Sequence, residues 1–172
     1  MYSHYNYKYD RDVVILHPGE YYASGENHLI STVLGSCVAV VLYDETRKIG
    51  GMNHYMLPGK FTELETGHAR NRDLPDEIQR GKLGIFAMQL LIERLNEAGV
   101  DRRNLKAKVF GGGNVLGDGD LPGGNNSSDI GFYNVELAFT YLEREQIPVV
   151  SSDVRGYVAR KLFLEPRTGY VY

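Results

Sequence analysis

Short apolar runs separated by polar turns fill the first third of the chain. Residues 13–16 (VVIL) and 29–33 (LISTV) are rich in β-branched side chains and predict strands. Residues 38–43 (VAVVLY) are apolar at nearly every position, the pattern of a strand buried on both faces. Polar 44–48 predicts a turn and 49–57 its hairpin partner, ended by Pro58 and Gly59. The period then changes. Over 83–98, Leu83, Ala87, Leu91 and Leu95 recur four apart and Phe86 and Leu90 widen the stripe, so a helix is expected, with Gly99 as its left-handed C-terminal cap. A strand is expected at 106–110. A second helix follows over 134–145, with Val135, Ala138, Phe139 and Leu142 on one face. Strands at 148–153 and 161–165, a turn at 166–169 and a short end strand complete the pattern. Two stretches lack periodicity: 61–80, polar and mixed in charge around Pro75, and the glycine-rich 111–131. Both read as loops. The tyrosine-rich residues 1–12 read as a flexible arm, leaving 13–172 as one domain. Strands, helix, strand, helix, strands is the order of a layered α/β or α+β domain.

Composition narrows the setting. At 172 residues the chain buries one proper core, and 42% hydrophobic with 24% charged residues is the balance of a soluble globular protein. A net charge of -3 gives no electrostatic reason to expect nucleic acid or an anionic membrane as partner. With a single cysteine there is no internal disulfide, which fits a reducing compartment. No apolar run reaches membrane-span length, and the opening MYSHYNYKYDRD lacks the apolar stretch of a secretory signal, so a cytoplasmic protein is expected.

That cysteine, Cys37, lies in STVLGSCVAVVLYD, and His54 follows seventeen residues later in GGMNHYMLP. A thiol and an imidazole on neighbouring apolar segments suit a nucleophile and its base. A third group must hold the imidazole in its tautomer, and donors must meet the developing oxyanion. The hydroxyls of Ser31, Thr32 and Ser36 and the amide of Asn53 are candidates, and Gly35 lets backbone approach a substrate. The same spacing also suits a core cysteine and a satisfied core histidine flanked by Met52 and Met56. No zinc pattern assembles from His4, His17, His28 and His68, the glycine stretch lacks a P-loop lysine, and Asp118, Asp120 and Asp129 lack calcium-loop spacing. No metal or cofactor is expected.

The segments 31–44 and 51–58 closely resemble the CheD family, the chemoreceptor glutamine deamidases of bacterial chemotaxis. LGIFAMQLLIERL, KVFGGGNVL, IGFYNVE, IPVVSSD and the tail with Arg160, Lys161 and PRTG follow in family order. The resemblance implies a layered α/β/α-type sandwich, distantly like deamidating bacterial toxins. It implies hydrolysis of glutamine side chains on the cytoplasmic helices of methyl-accepting chemotaxis receptors, and CheC, a response-regulator phosphatase, as a further partner. It puts the catalytic cysteine on Cys37 and the histidine on His54. The family's threonine, six residues before the cysteine, falls on Ser31, with Thr32 next to it in reserve. Two alternatives stay open: a glutamyl methyl esterase using the same thiolate, and a weakly active or inactive module acting through CheC or receptors. Fast alkylation of Cys37 at neutral pH is the expected mark of a catalytic thiol.

Overall fold

The computed structural model describes residues 1–61, 77–115 and 127–172. In chain order the elements are β1 (Tyr2–Asn6), β2 (Arg11–Ile15), β3 (Tyr21–Ser24), β4 (Leu29–Leu34), β5 (Val38–Asp44), β6 (Ile49–Asn53), α1 (Glu77–Gly81), α2 (Gly84–Glu97), β7 (Lys106–Gly111), α3 (Ser127–Arg144), β8 (Val149–Val154), β9 (Arg160–Glu165) and β10 (Tyr170–Val171). They build two five-stranded sheets, β1-β2-β4-β9-β10 and β3-β6-β5-β7-β8.

Strand alternation explains how the layers stack. Val14, Leu16, Ile30, Leu34, Leu162 and Leu164 of the first sheet pack on Ala39, Val41, Tyr43, Met52 and Phe110 of the second. The other face of the second sheet, with Val38, Val40, Leu42, Ala107 and Val109, packs on the apolar stripes of α2 and α3. All seven residues of β5 are therefore buried, as its continuous apolar run predicts. Each large side chain so buried contributes about 1.5–3 kcal/mol. The layered α+β class expected from the sequence is the one adopted. Its order is sheet, sheet, helices, not α/β/α: among the described residues, both long helices lie on one outer face.

The sequence pattern and the structure part company in five places. Residues 2–6, expected within a flexible arm, form β1, antiparallel to β2 from Tyr2↔Ile15 to Asn6↔Arg11. The N-terminal amine also meets Glu20. Strand β3, read as no element at all, pairs with β6. The hairpin partner of β5 stops at Asn53, not at 57, because Leu57 pairs with Leu83 at the start of α2. Helix α3 begins at Ser127, seven residues ahead of the expected start. Gly131 had marked loop, but it sits inside the helix where a Cβ would lie 2.7 Å from the Gly112 carbonyl oxygen; close packing, not a turn, calls for glycine there. Of the expected loop 61–80, the end forms α1, and 62–76 lie outside the described residues, as do 116–126 of the glycine-rich stretch, with His68, Asp118 and Asp120. Among the described residues no helix is long and apolar enough to cross a membrane.

Candidate active site

The chain passes from the first sheet to the second between Leu34 and Val38, and Cys37 sits on that crossing. Three successive carbonyls of the crossing are held from behind. Gly113 N–H donates to the Gly35 carbonyl at 2.8 Å and Gly112 N–H to that of Cys37 at 2.8 Å. Asn134 Nδ2 donates to Ser36 at 3.1 Å. In a planar trans peptide the following N–H points opposite to each carbonyl, so the N–H groups of Ser36 and Cys37 face away from these anchors. Residues 111–113 must lie against this crossing, which explains part of the glycine-rich run. Gly111 has φ +103°, and a Cβ on it would stand 2.2 Å from the Cys37 carbonyl oxygen.

His54 follows β6 on the same face. The β5–β6 register pairs Val41 with Met52, and the isolated bridge Val38↔Tyr55 keeps it. Ala39 therefore lies opposite His54, and Cys37, two residues before Ala39, packs against the same interlayer core. The His54 backbone is fixed from the other side: its N–H donates to the Glu20 carbonyl at 3.0 Å and its carbonyl accepts from Gly19 at 2.8 Å. Its ring meets the opposite sheet, with Nδ1 2.7 Å from Thr32 Oγ1. The Thr32 hydroxyl has one proton and donates it to the Leu16 carbonyl at 2.9 Å, an oxygen that can only accept. Nδ1 therefore carries the ring proton and donates to Thr32, leaving Nε2 with its lone pair. Nε2 is buried and has no hydrogen-bond partner among the described residues.

The remaining sequence candidates go elsewhere. Ser31 is buried on the other face of β4, and its Oγ has no partner among the described residues. The structure thus brings Thr32, not Ser31, to His54; the alternation that turns Ile30 and Leu34 into the space between the sheets turns Thr32 there too. Asn53 faces the helices, accepting from Val40 N–H at 2.8 Å and donating to Met88 Sδ at 3.5 Å, so its amide mends the sheet and does not approach Cys37. Ser36 contributes its carbonyl to the anchoring just described. Asn134, which sequence reasoning passed over, is fully buried and touches the crossing directly. Its partners lie 98 and 78 residues away, so no local signal marks it. Among the described residues no group of three metal-ligating side chains occurs.

Burial sets the charge states. It pushes the Cys37 thiol up, with its own N–H opposing. It pushes His54 down to about 4, outweighing the Leu16 carbonyl that favours the charged ring. The resting pair is thus thiol and neutral imidazole, not thiolate and imidazolium. A thiol held up by burial is expected to alkylate more slowly at neutral pH than the sequence reading anticipates. A stability prediction follows from His54. The unfolded chain takes up its proton below about 6.5, whereas the folded chain resists until about 4. The contribution is complete above the unfolded value and is lost as pH falls towards about 4, amounting to about 3 kcal/mol. Urea midpoints measured between pH 7.5 and 4.5 are expected to fall more steeply for the natural protein than for His54→Gln; equal slopes would rule this out.

With this geometry in place, a family model described as CheD chemotactic sensory transduction matches residues 56–172. Cys37 and His54 precede that match, but similarity to curated relatives spans them. The chain is 43% identical over 98% of its length, and 74% of the relative's, to a probable chemoreceptor glutamine deamidase CheD 1 of Shewanella oneidensis. It is 39% identical to the probable chemoreceptor glutamine deamidase CheD of Borrelia turicatae and 40% to that of Borreliella burgdorferi, each over 96% of this chain and 90% of the relative. Among solved structures it is similar to the hypothetical protein YfiH of Bacillus licheniformis, with TM-score 0.41 and 12% identity over 79% of this chain and 49% of that one.

Proposed function

The chain belongs to the CheD family of chemotactic sensory transduction proteins, and from that premise we propose that it hydrolyses glutamine side chains of methyl-accepting chemoreceptors to glutamate in the cytoplasm. The observation that carries the chemistry is the hydrogen bond from His54 Nδ1–H to Thr32, which leaves Nε2 as a base on the face that carries Cys37.

In this reading Cys37 Sγ attacks the carboxamide carbon as its proton passes to His54 Nε2. The N–H groups of Ser36 and Cys37, opposite their anchored carbonyls, receive the developing oxyanion. The carbon–nitrogen bond breaks, ammonia leaves with the proton from His54, and a thioester remains. Water then attacks the thioester and gives a proton to His54. Collapse releases the glutamate carboxyl, and the sulfur recovers its proton. Glutamine and water become glutamate and ammonia, and no cofactor enters the balance. Because the resting pair is neutral, the thiolate forms only as the carbonyl arrives, which keeps the sulfur quiet towards other electrophiles. Thr32 holds the imidazole orientation and is the third member of the site. CheC is proposed as a regulatory partner from family membership alone.

The test is incubation with a chemoreceptor cytoplasmic fragment, read by mass spectrometry of its glutamines and by ammonia release. Conversion of discrete glutamines with matching ammonia is the expected result. Methanol from a methylated fragment, with no ammonia from an amidated one, would replace the deamidase by an esterase.

A further inference from the structure

The β5–β6 ladder opens just where Cys37 sits, and one side chain bridges the opening. Val38 and Tyr55 exchange both backbone hydrogen bonds, at 3.1 and 3.0 Å. In an antiparallel ladder the next such pair is two residues on, Ser36 with Leu57. That pair does not form. Leu57 gives its N–H to the Lys82 carbonyl at 3.1 Å, and its own carbonyl accepts from Gly84 at 2.7 Å. The Ser36 carbonyl, deprived of Leu57, is taken by Asn134 Nδ2 at 3.1 Å, and the second proton of the same nitrogen goes to the Met56 carbonyl at 2.8 Å. Two acceptors fix which end of the amide is nitrogen. Asn134 has no exposed surface, and Tyr55 Oη donates to its main-chain carbonyl oxygen at 2.7 Å, tying α3 to the residue after His54.

We infer that Asn134 is a positioning residue for the proposed reaction, its amide fixing the separation between the residue before Cys37 and the chain just beyond His54. The inference rests on the deamidase reading. The side-chain hydrogen bonds of Asn134 go to main-chain carbonyls and not to the sulfur or the imidazole. It replaces the missing rung of the ladder and holds the strands apart at one width, so that sulfur, Nε2 and a carboxamide fit together. Direct pairing of Ser36 with Leu57 would close that space; two unsatisfied carbonyls would let it drift. Misplacement of this kind acts on the chemical step more than on binding, and an error of about 1 Å costs up to about a hundredfold.

The experiment compares Asn134→Ala with Leu142→Ala, a fully buried residue two turns further along α3, at a temperature where circular dichroism shows all proteins folded. Asn134→Ala is expected to lower kcat at least about tenfold with KM within about twofold, whereas Leu142→Ala loses thermal stability and keeps its kcat. Equal kcat in the two variants overturns the inference, since Asn134 would then be structural only. Should the alanine variant not fold, Asn134→Ser takes its place with the same two outcomes. Absence of turnover by the natural protein would count against the deamidase reading itself. The inference is then judged on iodoacetamide alkylation of Cys37: a variant rate changed by about fivefold or more supports it, and an unchanged rate overturns it.

Discussion

Exchange of Cys37 for alanine is expected to abolish ammonia release, lowering kcat by at least about a thousandfold, while the protein remains folded. The loss is large because the chain holds no second thiol. A neutral imidazole facing an amide can at best direct water, and an amide is a far poorer target for water than a thioester. Stability is expected to change by no more than about 1 kcal/mol. The residue is half-buried, the backbone on either side is anchored through carbonyls, and a sulfur atom is a small loss to the core. Ammonia assay and mass spectrometry on the same receptor fragment check it, and more than a thousandth of the natural rate in the variant would sink the covalent route. Alkylation gives a companion reading: with its thiol pushed up by burial, Cys37 should react slowly at pH 7 and faster as pH rises.

Thr32→Val should lower kcat by about 10²–10³, whereas Ser31→Ala should leave it within about threefold. Valine keeps the shape of threonine and removes only the oxygen between His54 Nδ1 and the Leu16 carbonyl. The ring is then free to carry its proton on Nε2, where it can no longer accept one from the thiol, and the Leu16 oxygen loses a partner at a cost of about 1 kcal/mol. Ser31 lies on the opposite face of β4 with its Oγ unpartnered among the described residues, so deleting that oxygen removes no bond there. Thr32→Ser, which retains the hydroxyl, should recover most of the activity. A larger loss from Ser31→Ala than from Thr32→Val would reverse the assignment.

The distinction between these two hydroxyls was legible in the strand. Ile30 and Leu34 mark the inner face of β4 by their spacing of four, and Thr32 falls between them at the strand's period of two. The family's offset of six residues before Cys37 falls on Ser31, but a fixed offset ignores which way a side chain points. Cys37 and His54 were visible as a pair, and β5 and α2 were plain, because burial on one or both faces leaves a period in the sequence. β1 was not, because four of its five residues are exposed and alternation carries no contrast there. Asn134 was invisible for a different reason. Its partners are two main-chain oxygens, and any residue supplies a main-chain oxygen, so neither partner leaves a trace in the sequence.

Thr32 belongs to one sheet, whereas Cys37 leads into a strand of the other and His54 follows one. The hydrogen bond that orients the imidazole therefore spans the interlayer gap, whose width is kept by Ile30, Leu34, Val41, Met52 and their neighbours. Alignment of the reacting groups is thus a property of how thick the sandwich is. A methylene added or lost at Ile30 or Met52, well short of unfolding the protein, would slide one wall of the site against the other. Turnover would then register the dimension of the core, much as a feeler gauge reads the clearance between two plates.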